Sequence, residues 1–140
     1  MRWRITEVEA YDGEADMACH ASRGKTERNS VMYEPGGVWY VYLCYGMHYM
    51  LNLVTGERGY PAAVLIRGVE NIFGPGRVTK KLLVDSALNT KRAKRASGLW
   101  IEDDGLIIPS RSITQTPRIG VAYAKEWAER PYRFVWQDRV

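Results

Sequence analysis

Glutamate and tyrosine alternate near the start of the chain, at Glu7, Glu9 and Tyr11. Residues 3–11 place branched, aromatic and charged side chains at alternating positions, a pattern that predicts a β-strand. Successive side chains of a strand point to opposite faces, so these three residues would share one face. A carboxylate beside an aromatic ring can serve as a general base next to a stacking surface. Taken alone, the alternation favours a simpler interpretation, in which these residues form the solvent-exposed face of an ordinary strand.

The second group of chemically capable residues is an aromatic cluster between residues 39 and 49. Trp39, four tyrosines and His48 fall within eleven residues, and the whole chain has nine Tyr but only two Phe. Buried tyrosine hydroxyls need partners, so this bias favours a surface that stacks bases over a plain core. Tyr45 precedes Gly46 at the predicted tip of a hairpin, where an aromatic ring has little core to fill. It is a candidate wedge for the gap left by a flipped nucleotide.

Two polar residues lie inside apolar strand segments. Arg67 follows the apolar run 62–66 and shares a face with Ala63 and Leu65, while Asn52 lies within the apolar segment 50–54. A cation at the inner end of a strand needs a carboxylate or phosphate partner. Both residues can be ordinary interior polar groups, but together with Glu9 they indicate a polar pocket floor.

The positive charge of the chain is concentrated in one block. The net charge is +4, and residues 67–97 hold 8 Lys and Arg against 2 Asp and Glu. Such a block suits a polyphosphate backbone, although a solvated basic face explains it equally well. Within it, a helix predicted after Gly74-Pro75-Gly76 would bring its N-terminus and Lys80 or Lys81 near phosphates.

Length and composition exclude several classes of protein. At 140 residues and 46% hydrophobic content, the chain is expected to form one globular domain over residues 1–140. No apolar run reaches the length of a membrane span, and the first residues lack a signal-peptide core, so a cytoplasmic or nucleoid location is expected. Cys19 and Cys44 form no CxxC pair, and we expect no metal site.

Strand patterns outnumber helix patterns, and hairpins outnumber crossovers. We therefore expect a mixed α+β fold, in which a curved, largely antiparallel sheet carries a few packed helices and a protruding β-hairpin. Strands are predicted at residues 3–11, 38–45, 49–54, 62–69, 99–101, 106–108, 118–123 and 132–136. Helices are predicted at residues 77–89 and 124–130, with a short one around 15–21.

In their order along the chain, these motifs closely resemble the alkyladenine DNA glycosylase family, the 3-methyladenine glycosylases of the human type. The resemblance covers nearly the whole chain. It rests on Glu7-Val8-Glu9-Ala10-Tyr11, Cys19-His20, Thr26-Glu27-Arg28-Asn29, Met32, Pro35-Gly36, Tyr40-Val41-Tyr42-Leu43-Cys44-Tyr45-Gly46-Met47, Asn52, Val64-Leu65-Ile66-Arg67, Gly74-Pro75, Arg118-Ile119-Gly120-Val121, Glu126-Trp127-Ala128, Arg130-Pro131 and Arg133-Phe134. Two departures are that Glu9 lies almost at the start, as in a short, N-terminally truncated member, and that the stretch from Arg67 to Gly74 is shortened.

The resemblance implies an enzyme of DNA base-excision repair. Glu9 matches the general base that activates water, and Arg67 matches a basic residue near that water. The implied partner is double-stranded DNA that contains damaged purines. The implied enzyme is a monofunctional glycosylase that acts as a monomer without cofactor or metal and leaves an abasic site.

The resemblance also implies a pocket for the flipped base. Tyr11 and His20 match residues that sandwich the base, and Tyr42 matches the third ring. Tyr45 matches the side chain that intercalates into the vacated space. Asn52 matches an amide that clashes with the exocyclic amino group of normal guanine.

Two other functions remain open from the sequence. A catalytically silent lesion-binding protein would keep the pocket, although binding alone does not require Glu9, His20 and Arg67 together. A structural or RNA-binding sheet protein could use its tyrosines as a stacking platform. That alternative accounts for the aromatic residues and the charge but not for the ordered set of motifs.

Overall fold

Seven strands and one α-helix form the regular part of the structure, a computed structural model that describes residues 1–137. The strands are β1 (Ile5–Asp12), β2 (Trp39–Cys44), β3 (His48–Val54), β4 (Ala62–Val69), β5 (Ile72–Phe73), β6 (Ile113–Thr116) and β7 (Arg133–Trp136). The helix is α1 (Pro75–Leu82). Short 3-10 segments occupy Ser30–Tyr33, Ser86–Leu88, Arg95–Ser97, Ser110–Ser112 and Ala122–Glu129, the last with a kink at Ala124 and Lys125.

All strands belong to one antiparallel sheet in the order β2-β3-β4-β1-β7-β6, and β5 pairs with β4. The mixed α+β fold with a largely antiparallel sheet is thus confirmed. The β2–β3 hairpin and strand β4 follow the predicted segments closely, because β-branched and aromatic residues fill them and turn residues flank them.

Both faces of the central strands are covered. The front face, which carries Tyr40, Asn52 and Glu9, lies under the loop that joins β1 to β2. Its core cluster consists of Cys19, Ala21, Val31, Met32, Tyr33, Val38, Tyr40, Val54 and Ala63. On the back face, α1 and the segment after it contribute Val78 and Val84 to a second cluster with Trp39, Val41, Leu51, Ile66 and Val69. The polar side chains of the front face are therefore held between two packed layers.

The helix predicted at residues 77–89 is shorter than expected. Pro75 begins α1 in the favoured first-turn position, but Leu83 adopts a left-handed conformation with φ 57° and ends the helix. The Asp85 side chain then accepts a hydrogen bond from the Ala87 N–H and starts a separate 3-10 turn. This break turns Val84 into the back-face core.

Four other predicted elements are wrong, namely the strands at 99–101, 106–108 and 118–123 and the short helix around 15–21, and two strands were not predicted. Residues 99–108 form no hairpin. The Asp103 side chain accepts a hydrogen bond from the Gly105 N–H and the Asp104 side chain accepts one from the Leu106 N–H, but the flanking segments do not pair as strands. Residues 118–123 form no strand, because Arg118 turns inward and Gly120 takes a positive φ of 76°. Residues 15–21 form turns. β5 and β6 went unpredicted because each is short and lacks a clear alternation.

Candidate active site

The register of the sheet brings the predicted polar residues onto the front face. Tyr40 pairs with Asn52, Asn52 with Leu65, Leu65 with Glu9, and Glu9 with Arg133, in one row across five strands. Residues directly opposite in antiparallel strands project to the same side of the sheet. By the alternation along β1 and β2, the same face also carries Tyr11 and Tyr42.

Glu9 is the most completely enclosed acidic side chain of this face. It is 0% exposed, and its Oε1 accepts a hydrogen bond of 2.9 Å from the Tyr11 hydroxyl. Its Oε2 accepts a hydrogen bond of 2.7 Å from the Ile119 backbone N–H and lies 3.7 Å from Arg67 Nε. Two hydrogen-bond donors and a nearby guanidinium thus compensate the burial of this carboxylate. The Tyr11 phenol stays protonated as a donor, because burial and the nearby Glu9 charge raise its pKa.

Arg67 is anchored mainly by Glu7. Its Nε donates to Glu7 Oε2 over 3.0 Å, and Arg133 Nε donates to the same oxygen over 2.8 Å. Burial pushes the pKa of Glu7 upward, but the hydrogen bonds from Arg133 and Arg67 outweigh it and hold that pKa below its ordinary value. Glu7 is thus an anion shared by two guanidinium groups, and it fixes Arg67 beside Glu9.

A β-bulge lies at Arg67. Glu7 pairs with Gly68 and Val8 pairs with Ile66, so β4 has one extra residue between these pairs. Bulges re-aim side chains and are common beside active sites. Here the bulge coincides with the residue whose guanidinium reaches both carboxylates.

His20 and two tyrosines form an aromatic wall at one end of the front face. The ring centroids of His20 and Tyr42 are 4.4 Å apart, and those of Tyr40 and Tyr42 are 5.2 Å apart. His20 Nδ1 and the Tyr40 hydroxyl oxygen are 2.9 Å apart, within hydrogen-bond distance. His20 is exposed as a whole, but its ring is partly desolvated against the two tyrosines, which lowers its pKa, and the charge of Arg28 adds to this effect. At neutral pH the wall therefore consists of uncharged rings.

A cavity of about 380 Å³ opens against this wall. That volume falls within the range of small-ligand pockets. Its lining residues are His20, Thr26, Arg28, Asn29, Tyr40, Tyr42, Leu43, Cys44 and Tyr45. Glu9 and Tyr11 do not line it, so in this structure the carboxylate is sealed from the cavity. A base bound against the wall would reach Glu9 only after a local rearrangement.

Tyr45 projects from the tip of the β2–β3 hairpin. Tyr45 and Gly46 both have positive φ, 52° and 66°, and the Met47 N–H closes the turn on the Cys44 carbonyl over 3.1 Å. Both central residues of this turn have the positive φ of the mirror-image hairpin turn, whose first position favours Asn, Asp or Gly, so a tyrosine there is unusual. The Tyr45 side chain is 94% exposed. An aromatic ring held this way has no role in the core.

Asn52 lies on the front face but does not line the cavity, and the two lysines lie apart from the site. Asn52 is buried, and its Nδ2 donates to the Tyr40 carbonyl over 3.2 Å. Lys80 and Lys81 are exposed in the last turn of α1, which packs on the back face. The Lys81 ammonium lies 5.6 Å from the centre of the Trp3 ring. The structure does not bring these lysines to the cavity, and their contact with phosphates stays a prediction.

Comparison with known proteins assigns the sequence to a family. The sequence profile described as methylpurine-DNA glycosylase matches residues 1–74 and 70–140. The chain belongs to the methylpurine-DNA glycosylase family. The two matched segments overlap at residues 70–74, which contain the turn between β4 and β5 and strand β5 itself.

Curated proteins align with this member of the methylpurine-DNA glycosylase family over most of its sequence. A protein of Psychrobacter cryohalolentis is 41% identical over 163 residues, which cover 99% of this chain and 76% of the relative. A protein of Legionella pneumophila strain Lens is 46% identical over 143 residues (96% and 76%), and one of Myxococcus xanthus is 44% identical over 148 residues (96% and 73%). All three carry the name "Putative 3-methyladenine DNA glycosylase".

Sequence reasoning missed several residues of this methylpurine-DNA glycosylase site. Glu7, Arg118, Ile119 and Arg133 lie within the family motifs but receive no role from the sequence, and Asp16 lies outside those motifs. Asp16 lies in a polar loop 102 residues from Arg118, with which it forms a buried ion pair. Such a long-range pair leaves no local pattern. One signal was available for Glu7, since it shares the strand face of Glu9.

Two features are absent from residues 1–137, the part of the chain that the structure describes. No group of three or more His, Cys, Asp and Glu side chains in that range is arranged to hold a metal ion. No helix in the same range is long and apolar enough to cross a membrane.

Proposed function

We propose that this protein is a monofunctional DNA glycosylase that flips alkylated or deaminated purines out of duplex DNA and hydrolyses the N-glycosidic bond. The product is an abasic site. The observation that carries the proposal is the fully buried Glu9 carboxylate, held by the Tyr11 hydroxyl, the Ile119 N–H and Arg67 on the same sheet face as the aromatic wall. Membership of the methylpurine-DNA glycosylase family supports the same reaction.

Glu9 acts as the general base in this proposal. The ionised carboxylate accepts a proton from the attacking water, and its charge offsets the positive charge that develops on the sugar. The Tyr11 hydroxyl occupies Oε1 and the Ile119 N–H occupies Oε2, so the orientation of the carboxylate is fixed before the substrate binds. Arg67 lies beside the same oxygen, where it can hold the water.

The aromatic side chains bind the flipped base. Tyr11 lies on one side of the base and His20 on the other, with Tyr42 as the third ring. The rings of His20 and Tyr42 are too close to each other to admit a base between them. Tyr11 does not line the cavity in the free protein, so it meets the base after the rearrangement that uncovers Glu9. A purine alkylated at N3 or N7 is cationic, and its stacking on such rings contributes roughly 1–2 kcal/mol once water is excluded. The cation is also a good leaving group, whereas a neutral lesion such as hypoxanthine must first gain a proton.

Two further residues control access to this pocket. Tyr45, exposed at the hairpin tip, enters the duplex and fills the space that the flipped nucleotide leaves. Asn52, fixed to the Tyr40 carbonyl, excludes the exocyclic amino group of normal guanine. Flipping itself costs a few kcal/mol and costs least at damaged or mispaired sites, which contributes to selectivity.

The direct test uses the purified chain and duplex oligonucleotides that carry one hypoxanthine or one ethenoadenine, together with methylated bulk DNA. We expect strand cleavage that depends on the lesion and appears only after alkali, because a monofunctional enzyme leaves an intact abasic strand. Borohydride added during the reaction should trap no protein–DNA adduct, since no lysine Schiff base forms. Cleavage without alkali, or a trapped adduct, would refute the monofunctional mechanism.

One feature of the structure gives weight to a second candidate, a lesion-binding protein without catalysis. Glu9 is sealed from the cavity in the free protein, so catalysis requires that the Glu9 carboxylate become accessible when DNA binds. A folded protein that binds lesion-containing duplexes but releases no base from any of them would favour this candidate.

A further inference from the structure

Asp16 and Arg118 form an ion pair that is completely enclosed beside the proposed site. Both side chains are 0% exposed, and two nitrogens of the guanidinium donate to the two carboxylate oxygens over 2.6 and 2.9 Å. The guanidinium lies between two rings, with its central carbon 4.9 Å from the centre of Tyr11 and 5.1 Å from that of Tyr132. The ion pair therefore fixes the position of the Arg118 guanidinium, and the two rings restrict its tilt.

The pair connects three separate parts of the chain. The Asp16 carboxylate also accepts hydrogen bonds of 3.0 Å from the N–H groups of Asp12, at the end of β1, and Ala18, in the loop that leads to His20. Arg118 in turn donates to the carbonyl of Ala10 over 2.8 Å and to that of Trp127 over 3.3 Å. Strand β1, the loop that leads to His20 and the segment that contains residue 118 are thus locked together.

The residue next to Arg118 contacts the proposed base directly. The Ile119 N–H donates to Glu9 Oε2 over 2.7 Å, while the Ile119 side chain is half exposed and contributes little packing. That N–H belongs to the peptide unit that follows Arg118, so a shift of the Arg118 backbone would move it. On the other side, the ring of Tyr11 rests on the guanidinium and its hydroxyl holds Glu9 Oε1.

We propose that Asp16 and Arg118 are positioning residues for the reaction, which hold the Ile119 N–H and the Tyr11 hydroxyl so that the Glu9 carboxylate faces the attacking water. This inference rests on the proposed function of Glu9. It adds two residues that touch neither base nor water and act through the two donors to Glu9.

Physical chemistry favours positioning over mere stabilisation as the reason for this pair. A buried ion pair is a weak means of stabilising a fold, because desolvation offsets much of the Coulomb attraction, but its geometry is well defined. Arg118 Nε is buried without a hydrogen-bond partner among the described residues, which a pair optimised only for stability would avoid. Both donors to Glu9 adjoin Arg118: the Ile119 N–H follows it in the chain, and the Tyr11 ring lies 4.9 Å from its guanidinium carbon.

The test compares Arg118→Lys with Arg4→Lys. Lysine keeps the positive charge but cannot form the bidentate contact, reach both carbonyls and stack between two rings. Arg4 forms an exposed pair with Asp104 at 2.7 Å and serves as the matched control. For each folded variant, the single-turnover excision rate and the affinity for lesion-containing duplex are measured at a temperature well below unfolding.

We expect the excision rate of Arg118→Lys to fall by about ten- to a hundredfold, the effect of losing a hydrogen bond to a charged group, while lesion affinity stays the same. Arg4→Lys should match the wild type in both measurements. A native rate in folded Arg118→Lys would overturn the proposal. A parallel loss of rate and affinity would also overturn it, because the pair would then shape the whole pocket.

A second measurement follows the contact itself and needs no catalysis. In wild-type protein the Ile119 amide proton should exchange slowly with solvent, and in Arg118→Lys its exchange should accelerate by roughly tenfold or more as the hydrogen bond to Glu9 weakens. Unchanged protection in Arg118→Lys would refute the proposed linkage. If the wild-type protein excises no lesion, the proposed function has failed; if it does and Arg118→Lys equals it, only the positioning role has failed.

Discussion

Replacing Asp16 by Asn tests how strongly the buried pair holds the site together. All four hydrogen-bond partners of the Asp16 carboxylate are donors, two N–H groups of Arg118 and the backbone N–H groups of Asp12 and Ala18. An Asn amide nitrogen would face two of these donors whichever way the group is turned. The change also leaves the Arg118 charge buried without its counter-ion.

The magnitude follows from this burial. Removing one partner of a buried pair costs about 3–5 kcal/mol. An unfolding entropy of about 2.1 cal/mol/K per residue gives roughly 0.29 kcal/mol/K for a chain of this length. The melting temperature should therefore fall by about 10–17 °C.

The matched control is Asp104→Asn. Asp104 pairs with Arg4 at 2.7 Å, almost the distance of the buried pair, but the two side chains are 50% and 42% exposed. An exposed pair of this kind contributes about 0.2–1 kcal/mol, so Asp104→Asn should lower the melting temperature by about 3 °C at most. Circular dichroism melts of both variants at neutral pH measure the difference. Equal shifts in the two variants would refute the argument from burial.

Acid should reduce the difference between wild type and Asp16→Asn. Burial raises the pKa of Asp16, but the hydrogen bonds from Arg118 and the backbone outweigh it and hold that pKa below the ordinary 3.8. The contribution of a carboxyl with a lowered pKa is complete above its unfolded value and is lost as pH falls through the folded value. The melting difference should thus be constant above about pH 5 and shrink below pH 4. A difference that grows in acid would contradict this.

Three further substitutions probe the proposed pocket. Tyr45→Ser should weaken binding of lesion duplex by about five- to a hundredfold, since stacking of a base on an aromatic ring contributes about 1–3 kcal/mol. The melting temperature should not change, because the side chain is 94% exposed. Equal affinity of variant and wild type in an anisotropy titration would exclude the role of Tyr45 as a wedge. Asn52→Ser should raise the release of guanine from undamaged duplex, measured by chromatography, and no rise would contradict the gate. Tyr11→Phe keeps the stacking ring but removes the donor to Glu9 Oε1, so excision should slow about tenfold at unchanged affinity; an unaltered rate would count against it.

The central strands were predictable because their signals are local. The β-branched and aromatic run from Trp39 to Cys44, the Gly46 turn and the apolar run after Pro61 each restrict the backbone without help from distant residues. Register could not be read from the same patterns, yet it is the register that aligns Glu9 with Asn52 and Tyr40.

The failures occurred where distant contacts override a local pattern. The Asp103 side chain accepts a hydrogen bond from the Gly105 N–H, but residues 101–109 form neither a regular turn nor a strand, and Asp104 pairs with Arg4 near the start of the chain. The apolar spacing of residues 77–89 was helical, but Leu83 reverses the chain so that Val84 can enter the back-face core.

The site was predictable in its residue types and not in its connections. Family motifs indicate Glu9, Tyr11 and His20, and strand alternation places the first two on one face. The identity of the partner of Arg67, which is Glu7, and the donation by the Ile119 N–H depend on segments that meet only in the folded chain.

The most direct test of the account is the single-turnover excision rate of Glu9→Gln on a duplex with one hypoxanthine, measured with the affinity for the same duplex. Glu57→Gln, a change at an exposed glutamate, is the control. Loss of the general base should lower the rate by about 10²–10⁴-fold while Glu57→Gln equals the wild type and the affinity of both variants is retained. A Glu9→Gln protein that excises hypoxanthine at the wild-type rate would contradict the assignment of Glu9 as the base.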